Sequence, residues 1–599
     1  MCRCVICIRH GVILWKFLFP LDRLSSPIPL AILPNHIHLS LSSDRVTAVL
    51  RAMAPHSAMD VEVTAVTDTS AVIIPDPLNI NGVLKRRTAA GILVAGVAAP
   101  VNVESYKGET QHTHKPLSKR WDHRLSAESR SRTGNSLKAA AKYLKNPGLI
   151  SLGGGLPSSE YFPFDELSIK VPVVGQFSEQ ATHDSGVTLT AGKHDLPNNK
   201  SLFDINTAFN YGQGTGSAQL LRFVVEHTEL VHNPPYRDWS CTMSVGSTSA
   251  LDMALRMFCE KGDYVLTEEF TFASAVESAK PQGLHMVGVG MDEEGMLATS
   301  LDEILSNWDE AARGARKPFV VYTVPTGQNP TGATQSTQRR RDIYAVAQKH
   351  DLYIFEDEPY YFLQMQPYTG PNAPDVPPPA THDEFLKSLT PSLLSMDTDG
   401  RVMRMDSFSK VIAPGSRVGW ITASAQVVDR YIKHADLSTQ GASGISQLIL
   451  FKLLDEHWTH SGYLTWLMHM RIEYTRRRDV MLAACVHHLP VEIISWHPPI
   501  AGMFQWMRID YTKHPLYERL SVDEIEDRIF LKSIEFGALV MKGSFFYADA
   551  AAKRETMFFR ATYAAAPFEG IQEAIRRFGD AVRDEFGIGK KVIGNGDGV

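Results

Sequence analysis

One lysine stands directly after a predicted buried strand, in the run Ser407-Phe408-Ser409-Lys410. It is followed by Val411 and Ile412, and no acidic residue is adjacent to it. Apolar surroundings lower the pKa of an ammonium group and leave a free amine, which can form a Schiff base with an aldehyde. A lysine on a loop is far more often a solvated surface residue, so this motif needs support from others.

Two segments have the composition of phosphate-binding sites. Arg417 follows the small residues Pro414-Gly415-Ser416, and its planar guanidinium suits a cluster of phosphate oxygens. Gly246-Ser247-Thr248-Ser249 follows a predicted strand and opens a predicted helix, so its backbone amides and the helix dipole would face an anion. Ser and Thr are more commonly ordinary N-caps at such a position.

Asp357 is the candidate acid. It ends a predicted strand close to Pro359, and strand alternation places Glu356 and Glu358 on the opposite side. A carboxylate at this place can face a protonated ring nitrogen and keep it charged. Taken alone, the segment would be a solvated acidic turn.

Two residues are candidates to contact a phenolic ring oxygen. Asn329 lies in the turn-rich segment Pro325–Gly332, which follows another predicted strand, and Tyr360 lies just beyond Asp357. Both side chains can donate a hydrogen bond to such an oxygen and so lower the pKa of a neighbouring imine.

The elements that must position these residues alternate between strands and helices from about residue 240 to residue 430. Strands separated by helices predict βαβ units and a mostly parallel sheet, in which ligands gather at the carboxyl ends of the strands. We expect strands at Thr242–Val245, Tyr264–Thr267, Phe319–Thr323, Leu352–Phe355, Arg401–Asp406 and Val418–Thr422, and helices at Ser249–Lys261 and Gln338–His350.

The rest of the chain suggests further domains. Strands expected at Val491–Trp496 and Met503–Ile509 favour a smaller C-terminal α+β domain.

Met53 resembles a natural start, so we expect residues 1–52 not to belong to the working protein; a signal peptide around Val12–Phe19 is the alternative. The predicted division is an extension that is disordered or loosely attached (1–115), an N-terminal arm with part of the small domain (116–200), a large domain (201–430) and a C-terminal small domain (431–599).

Composition excludes several classes of protein. The chain has 599 residues, a formal net charge of −6 and six cysteines, with no clustered basic stripe for nucleic acid. No run reaches the roughly 20 apolar residues that a membrane span needs. Cys2, Cys4 and Cys7 lack a second ligand cluster, so no metal site is expected. The few cysteines fit a reducing compartment, and we expect the cytoplasm.

In this order along the chain, Asn329-Pro330-Thr331-Gly332, Asp357-x-Pro359-Tyr360, Ser407-x-Ser409-Lys410 and Arg417 resemble the motifs of fold-type I aminotransferases, which depend on pyridoxal 5′-phosphate. The resemblance covers roughly residues 120–590. Within that family the chain is most similar to the fungal aromatic amino-acid aminotransferases, related to the 2-aminoadipate and kynurenine aminotransferases. It implies a large α/β domain, with a mostly parallel sheet flanked by helices, and a smaller α+β domain.

The resemblance also implies roles for individual residues. Lys410 would hold the cofactor covalently and, once displaced by the substrate, would move the proton. Asp357 would pair with the pyridinium nitrogen, and Asn329 and Tyr360 would contact the ring hydroxyl. The phosphate would be held by Ser247, Thr248, Ser407, Ser409 and Arg417.

Further residues are assigned in the same way. Phe272 would stack on the cofactor, where relatives usually have Tyr. Tyr211 would reach the phosphate of a partner subunit, which implies a homodimer. Arg560 would grip the substrate α-carboxylate, together with Asn329, while Gly155 would lie beside the substrate, where a bare backbone permits close approach. Apolar residues expected near the pocket are Leu156, Tyr161, Phe504 and Trp506.

The resemblance implies transamination between aromatic amino acids and 2-oxo acids such as 2-oxoglutarate, with 2-aminoadipate, and hence lysine biosynthesis, as a further candidate. One alternative is another reaction in the same fold, decarboxylation or elimination, since a fold does not fix its chemistry. The other is a non-catalytic regulator, which would need a helix-turn-helix that residues 1–120 do not show.

Overall fold

The computed structural model describes residues 79–89, 101–108, 114–136, 155–370, 377–549 and 551–589, the isolated residues 93, 96, 138, 143, 148, 150, 152, 153 and 374, and the backbone of four short strands before residue 48. The chain divides into two compact units, Met1–Pro75 and Asp76–Val599. In the first unit, β1 (Val5–Arg9) pairs with β2 (Val12–Lys16), and β3 (Ser40–Ser42) pairs with β4 (Arg45–Thr47). The expectation that residues 1–52 are dispensable, and the cysteine side chains among them, lie outside the described residues.

A seven-stranded sheet forms the centre of the second unit, in the order β7-β15-β14-β13-β12-β8-β9. Neighbours from β14 to β9 are parallel, whereas β15 is antiparallel to both β14 and β7. The prediction of a mostly parallel sheet is therefore confirmed. The strands are β7 (Trp239–Ser244), β8 (Tyr264–Glu268), β9 (His285–Val289), β12 (Val320–Thr323), β13 (Tyr353–Asp357), β14 (Val402–Ser407) and β15 (Gly419–Ser424).

Smaller sheets complete the strand set. A four-stranded antiparallel sheet has the order β16-β17-β19-β18, with β16 (Ile494–Trp496), β17 (Phe504–Ile509), β18 (Met541–Lys542) and β19 (Met557–Thr562). Two antiparallel pairs join β5 (Glu166–Val171) to β6 (Val187–Gly192) and β10 (Met291–Asp292) to β11 (Gly295–Met296).

Helices connect and cover these strands. The α-helices are Ile80–Ala89, Ala127–Ser131, Glu179–Ser185, Ile205–Ala208, Ala218–Val231, Ser247–Phe258, Ala273–Ala279, Ala298–Ser306, Glu310–Arg313, Thr337–Lys349, His382–Ser388, Leu393–Met396, Ala425–Ala435, Gly444–Phe451, Thr459–His488, Val522–Glu535 and Phe568–Phe586. A π-helical stretch, Lys452–Trp458, leads into the long helix Thr459–His488.

The core explains why the strand prediction from sequence worked. In β7, β12, β13, β14 and β15 every residue is buried, so both faces of the sheet are covered by other elements. A strand that is buried on both faces need not alternate apolar and polar residues, so its sequence signal is a short run of strand-forming residues. Each predicted strand overlaps an observed one. In the seven-stranded sheet the prediction from sequence missed two features. These are the partly exposed edge strand β9 and the reversed direction of β15, which residue type does not specify.

No described helix is both long enough and apolar enough to cross a bilayer. Within the described part of the chain, His, Cys, Asp and Glu side chains also form no group that could hold a metal ion. Cys241, Cys259 and Cys485 are buried free thiols.

Residues 80–89 differ from the expectation of a loose extension. They form a helix whose Val83 is fully buried, and Arg86 pairs with Glu229 at 2.6 Å. On the same helix Arg87 contacts both Glu226 and Asp455. The ion pairs were not readable from sequence because their partners lie more than a hundred residues away. The other domain boundaries remain predictions.

Glu226 is the centre of this attachment. Burial alone would raise its pKa, but hydrogen bonds with His460 and Arg87 hold the pKa of Glu226 down to about 2. A carboxylate with a depressed pKa stabilises the fold above its ordinary pKa of 4.5, and that contribution is lost as pH falls towards 2.

We expect Arg87→Met to lower the free energy of unfolding at pH 7 by about 3 kcal/mol, because it leaves a buried carboxylate short of its partner. The difference from wild type should shrink below pH 4.5, because Glu226 then becomes protonated in the unfolded chain and, without Arg87, in the folded variant. Urea unfolding at pH 7 and pH 3.5 measures both values, with Arg341→Met, at an exposed arginine of the helix Thr337–Lys349, as the control. An equal loss in the two variants would contradict the attachment.

Candidate active site

The carboxyl ends of the parallel strands meet at one edge of the large sheet, and most of the predicted residues lie there. β13 ends at Asp357, and β14 ends at Ser407, two residues before Ser409. The segment after β7 supplies Gly246 and Ser247, and the reversed strand β15 starts just after Arg417. Residues from four strands are thus gathered by the topology.

Lys410 lies in the turn that follows β14. The turn is held in place by the Ile412 amide, which donates to the Phe408 carbonyl at 2.8 Å, and by Trp466, whose Nε1 donates to the Val411 carbonyl at 2.6 Å. The Lys410 amine itself has no hydrogen bond or ion pair with any residue that the structure describes. Burial lowers the pKa of Lys410, and the positive charges of Arg417 and Arg560 lower it further.

Arg417 and the serines form a polar cradle beside this lysine. Arg417 Nη1 lies 3.4 Å from Ser409 Oγ, its Nη2 donates to the Val245 carbonyl at 3.2 Å, and Ser407 Oγ donates to Ser409 Oγ at 2.8 Å. Gly246 has φ +79°, and a Cβ there would lie 2.6 Å from Arg417 Nη2, so only glycine fits against the guanidinium.

The helix Ser247–Phe258 begins at this cradle, so its free backbone amides face it. Ser247 Oγ is buried and has no hydrogen-bond partner among the described residues, whereas Thr248 is exposed. An arginine, hydroxyl groups and a helix N-terminus together fit a phosphate group.

Asp357 is buried at the end of β13, and its two oxygens have different surroundings. Oδ2 accepts a hydrogen bond from Tyr322 at 2.9 Å, while Oδ1 is buried without a partner in the described chain. Burial raises the pKa of Asp357 to about 6, even though the hydrogen bond from Tyr322 lowers it. An oxygen left unsatisfied in this way fits a protonated ring nitrogen, as expected for pyridoxal phosphate.

Glu356 and Glu358 point away from Asp357, as predicted, but they do not face solvent. Both are buried with two arginines: Arg404 lies 3.3 Å from Glu356, and Arg340 lies 3.3 Å from Glu358. Arg404 also makes two hydrogen bonds of 2.8 Å to Asp406. The acidic turn read from sequence is therefore a buried ion-pair network behind the site.

Arg560 comes from β19 of the small sheet. Its guanidinium lies between two aromatic rings, 4.5 Å from the centre of Phe504 and 4.6 Å from that of Phe546. Nη1 donates to Asn329 Oδ1 at 2.7 Å, whereas Nε is buried and unpaired within the described residues. The side-chain oxygen of Asn329 is therefore used by Arg560, and only its NH₂ group stays available for a ring oxygen or a substrate.

Tyr360 closes the other side of this arrangement. It is buried, and its ring meets that of Phe504 edge-on at 5.7 Å. Burial raises the pKa of Tyr360, and so does the charge of Asp357, while the positive charge of Arg560 lowers it. Tyr360 therefore stays a neutral donor between the acid and the arginine.

Three predicted residues are placed less closely. Phe272 is half-buried and directly precedes the helix Ala273–Ala279. Tyr211 is 59% exposed, and Gly155 is exposed, with no atom of the described residues within 4 Å of where a Cβ would lie. The close approach expected at Gly155 is not made by the described part of the chain. Tyr161 is also exposed, whereas Phe504 does contact the site.

Tyr322 and Phe546 were missed by the sequence reading. Tyr322 faces Asp357 from the neighbouring strand β12, and its only sequence signal is a tyrosine in an otherwise apolar run. Phe546 precedes β19 in a 3₁₀ turn that carries no motif.

Comparisons with known proteins agree with this geometry. The family model "Aminotransferase class I and II" matches residues 175–578. An aromatic amino acid aminotransferase of Schizosaccharomyces pombe is 45% identical over 468 residues, which cover 78% of this chain and 98% of that protein. An L-tyrosine:2-oxoglutarate aminotransferase of Tapinella panuoides is 37% identical, over 66% of this chain and 75% of its own.

A solved structure gives the same result. The crystal structure of aminotransferase Aro8 from Candida albicans matches with a TM-score of 0.75 and 42% identity, over 79% of this chain and all of that one. The chain therefore belongs to the class I and II aminotransferases, and its cofactor is pyridoxal 5′-phosphate.

Proposed function

We propose that this aminotransferase moves the amino group between the aromatic amino acids phenylalanine, tyrosine and tryptophan and 2-oxo acids such as 2-oxoglutarate. The observation that carries the proposal is Arg560, a guanidinium held between Phe504 and Phe546 and close enough to Lys410 to lower its pKa. An α-carboxylate bound there would bring the α-carbon to the lysine amine, with apolar rings on both sides. The names of the fission-yeast and Tapinella relatives support the same substrates.

The cofactor, when bound, supplies an aldehyde for the amino group and an electron sink for the α-carbon. The protein's part is to hold both partners and to move one proton. Lys410 Nζ would first anchor the cofactor and then, once released as a free amine, take the proton from the substrate α-carbon. Its lowered pKa favours the uncharged form of that amine.

The other residues would position and polarise. Arg417, Ser247, Thr248, Ser407 and Ser409 would hold the phosphate, and Asp357 Oδ1 would keep the ring nitrogen protonated. Tyr360 and the NH₂ group of Asn329 would donate to the ring hydroxyl, and Phe272 would stack on the ring. Arg560 would form a bidentate pair with the α-carboxylate. The free Asp357 Oδ1 and the unpaired Ser247 Oγ support these assignments.

We also propose a homodimer in the cytoplasm. Leu152 and Tyr161 are 95% and 81% exposed, and the proposed dimer would cover them. Tyr211, exposed in this chain, would then reach a partner's phosphate, and Gly155 would approach a substrate. The buried free thiols favour a reducing compartment. A second substrate, 2-aminoadipate, would link the enzyme to lysine biosynthesis.

A steady-state assay of an amino-acid panel with 2-oxoglutarate tests the substrate. Phenylalanine, tyrosine and tryptophan should be turned over with a higher kcat/KM than alanine, and the product should be a 2-oxo acid without release of CO₂. Lys410→Ala should lower kcat by at least about 10³-fold, because both anchor and base are lost. Lys387→Ala, at an exposed lysine of the helix His382–Ser388, is the control. Equal rates with phenylalanine and alanine would refute the aromatic preference.

Arg560→Gln should lower kcat/KM for phenylalanine about 100-fold, because a charge-assisted carboxylate pair is lost. The loss should be much smaller for phenylethylamine, which has no carboxylate. Absorbance should show that the variant still carries the cofactor, which separates a substrate role from a structural one. An equal loss for both substrates would remove Arg560 from the carboxylate site.

Cofactor-free protein tests Asp357. Its pKa of about 6, against an ordinary 3.8, favours the protonated folded state at acid pH, and this contribution is lost as pH rises through 6. Cofactor-free Asp357→Asn should therefore be more stable than wild type at pH 7.5 by about 3 kcal/mol, and equal to it near pH 4. Chemical unfolding at both values measures this. A gain that does not depend on pH would show that the charge of the Asp357 carboxylate is already compensated in the cofactor-free protein.

A further inference from the structure

A second cleft lies between the two main sheets and encloses about 390 Å³. One wall consists of loops of the large sheet, with Glu269, Phe270 and residues 291–293 and 331–333. The other wall comes from the small sheet, with residues 495–499, Trp506, Arg508 and Phe558. Trp506, expected from sequence near the substrate pocket, lines this cleft instead. None of the residues assigned above a direct contact with cofactor or substrate lines it, so the cleft is distinct from the active site.

Aromatic rings make up its floor. Trp506 and Phe558 are stacked, with centres 4.9 Å apart and planes 13° from parallel. Phe270 meets both edge-on, at 5.3 Å from Trp506 and 5.2 Å from Phe558. Aromatic faces carry negative charge at their centres, so such a floor attracts an organic cation as well as apolar groups.

Glu269 is the unusual charge in this cleft. Its half-buried carboxylate has no hydrogen bond or ion pair with the described residues, and burial raises its pKa. The other two acids of the wall are already paired: Asp292 with Arg339 at 2.8 Å, and Glu293 with His497 at 3.2 Å. Arg508 also lines the cleft, but it lies exposed and makes no such pair in the described chain.

We propose that this cleft binds a small organic ammonium ion with an aromatic body, its cationic head on Glu269 and its ring on Trp506 and Phe558. The assignment follows from charge complementarity: a carboxylate that is partly removed from water needs a cation, and the adjoining surface is aromatic rather than polar. The volume accommodates a ligand of one ring and a short cationic arm.

The probe is benzyltrimethylammonium, which cannot form an imine with the cofactor and has no carboxylate for Arg560. Isothermal titration of the holoenzyme should give one site per chain. Glu269→Gln should weaken binding at least about tenfold, whereas the matched Glu293→Gln should change it less than about threefold. No binding, or equal losses in the two variants, would overturn the proposal.

Two further titrations use the unmodified holoenzyme, so they do not depend on how a variant folds. The alcohol 1-phenyl-2,2-dimethylpropan-1-ol, of similar shape but without charge, should bind at least about tenfold more weakly than the cation. Saturating glutarate, whose carboxylates can engage Arg560, should leave the cation bound. Equal affinity of alcohol and cation, or displacement by glutarate, would refute a separate cation site. Both results are independent of the substrate panel.

Discussion

The geometry of the site depends on the ion pairs made by the buried guanidinium of Arg404. It bonds twice to Asp406 on its own strand β14 and pairs with Glu356 directly across on β13. Burial alone would lower the pKa of Arg404, but the three neighbouring carboxylates raise it, so it stays charged. Removing one partner from such a network costs about 3–5 kcal/mol, which fixes the relative register of the two strands. Those strands end in Asp357 and in the turn of Lys410.

One strand, β13, therefore carries acids under opposite conditions. Glu356 and Glu358 face Arg340 and Arg404, so their charges are compensated before any ligand binds. The network contains two arginines and the carboxylates of Glu356, Glu358 and Asp406; burial raises the pKa of Glu358, so a proton held there would balance it. Asp357, on the other face, has the neutral Tyr322 as a hydrogen-bond donor, and the neutral Ser247 hydroxyl also lowers its pKa. A cationic ring bound next to Asp357 would compensate its charge.

The sequence predicted which residues meet at the edge of the sheet better than it predicted the side chains that support them. Lys410, Asp357 and Arg417 belong to short motifs at or next to strand ends, where residue type and a local pattern suffice. Arg560 lies within β19 and was assigned only through the family resemblance. Tyr322 and Arg404 act across strands, and pairing between strands is not visible in one sequence without its register. For the same reason the sequence did not predict that Ile80–Ala89 is an attached helix, since the partners of its ion pairs are distant in sequence.

The charges of Lys410, Arg417 and Arg560 influence how ligands would bind at the site. Lys410, Arg417 and Arg560 are near enough that both arginines lower the pKa of the lysine. A phosphate on Arg417 and a carboxylate on Arg560 would each neutralise one of these charges, so binding of either anion is favoured by the repulsion it relieves. Burial, the largest cause of the lowered pKa, remains after both have bound. The proposed role of Lys410 as a base would therefore persist with both anions bound, because its pKa is lowered chiefly by burial and only secondarily by its charged neighbours.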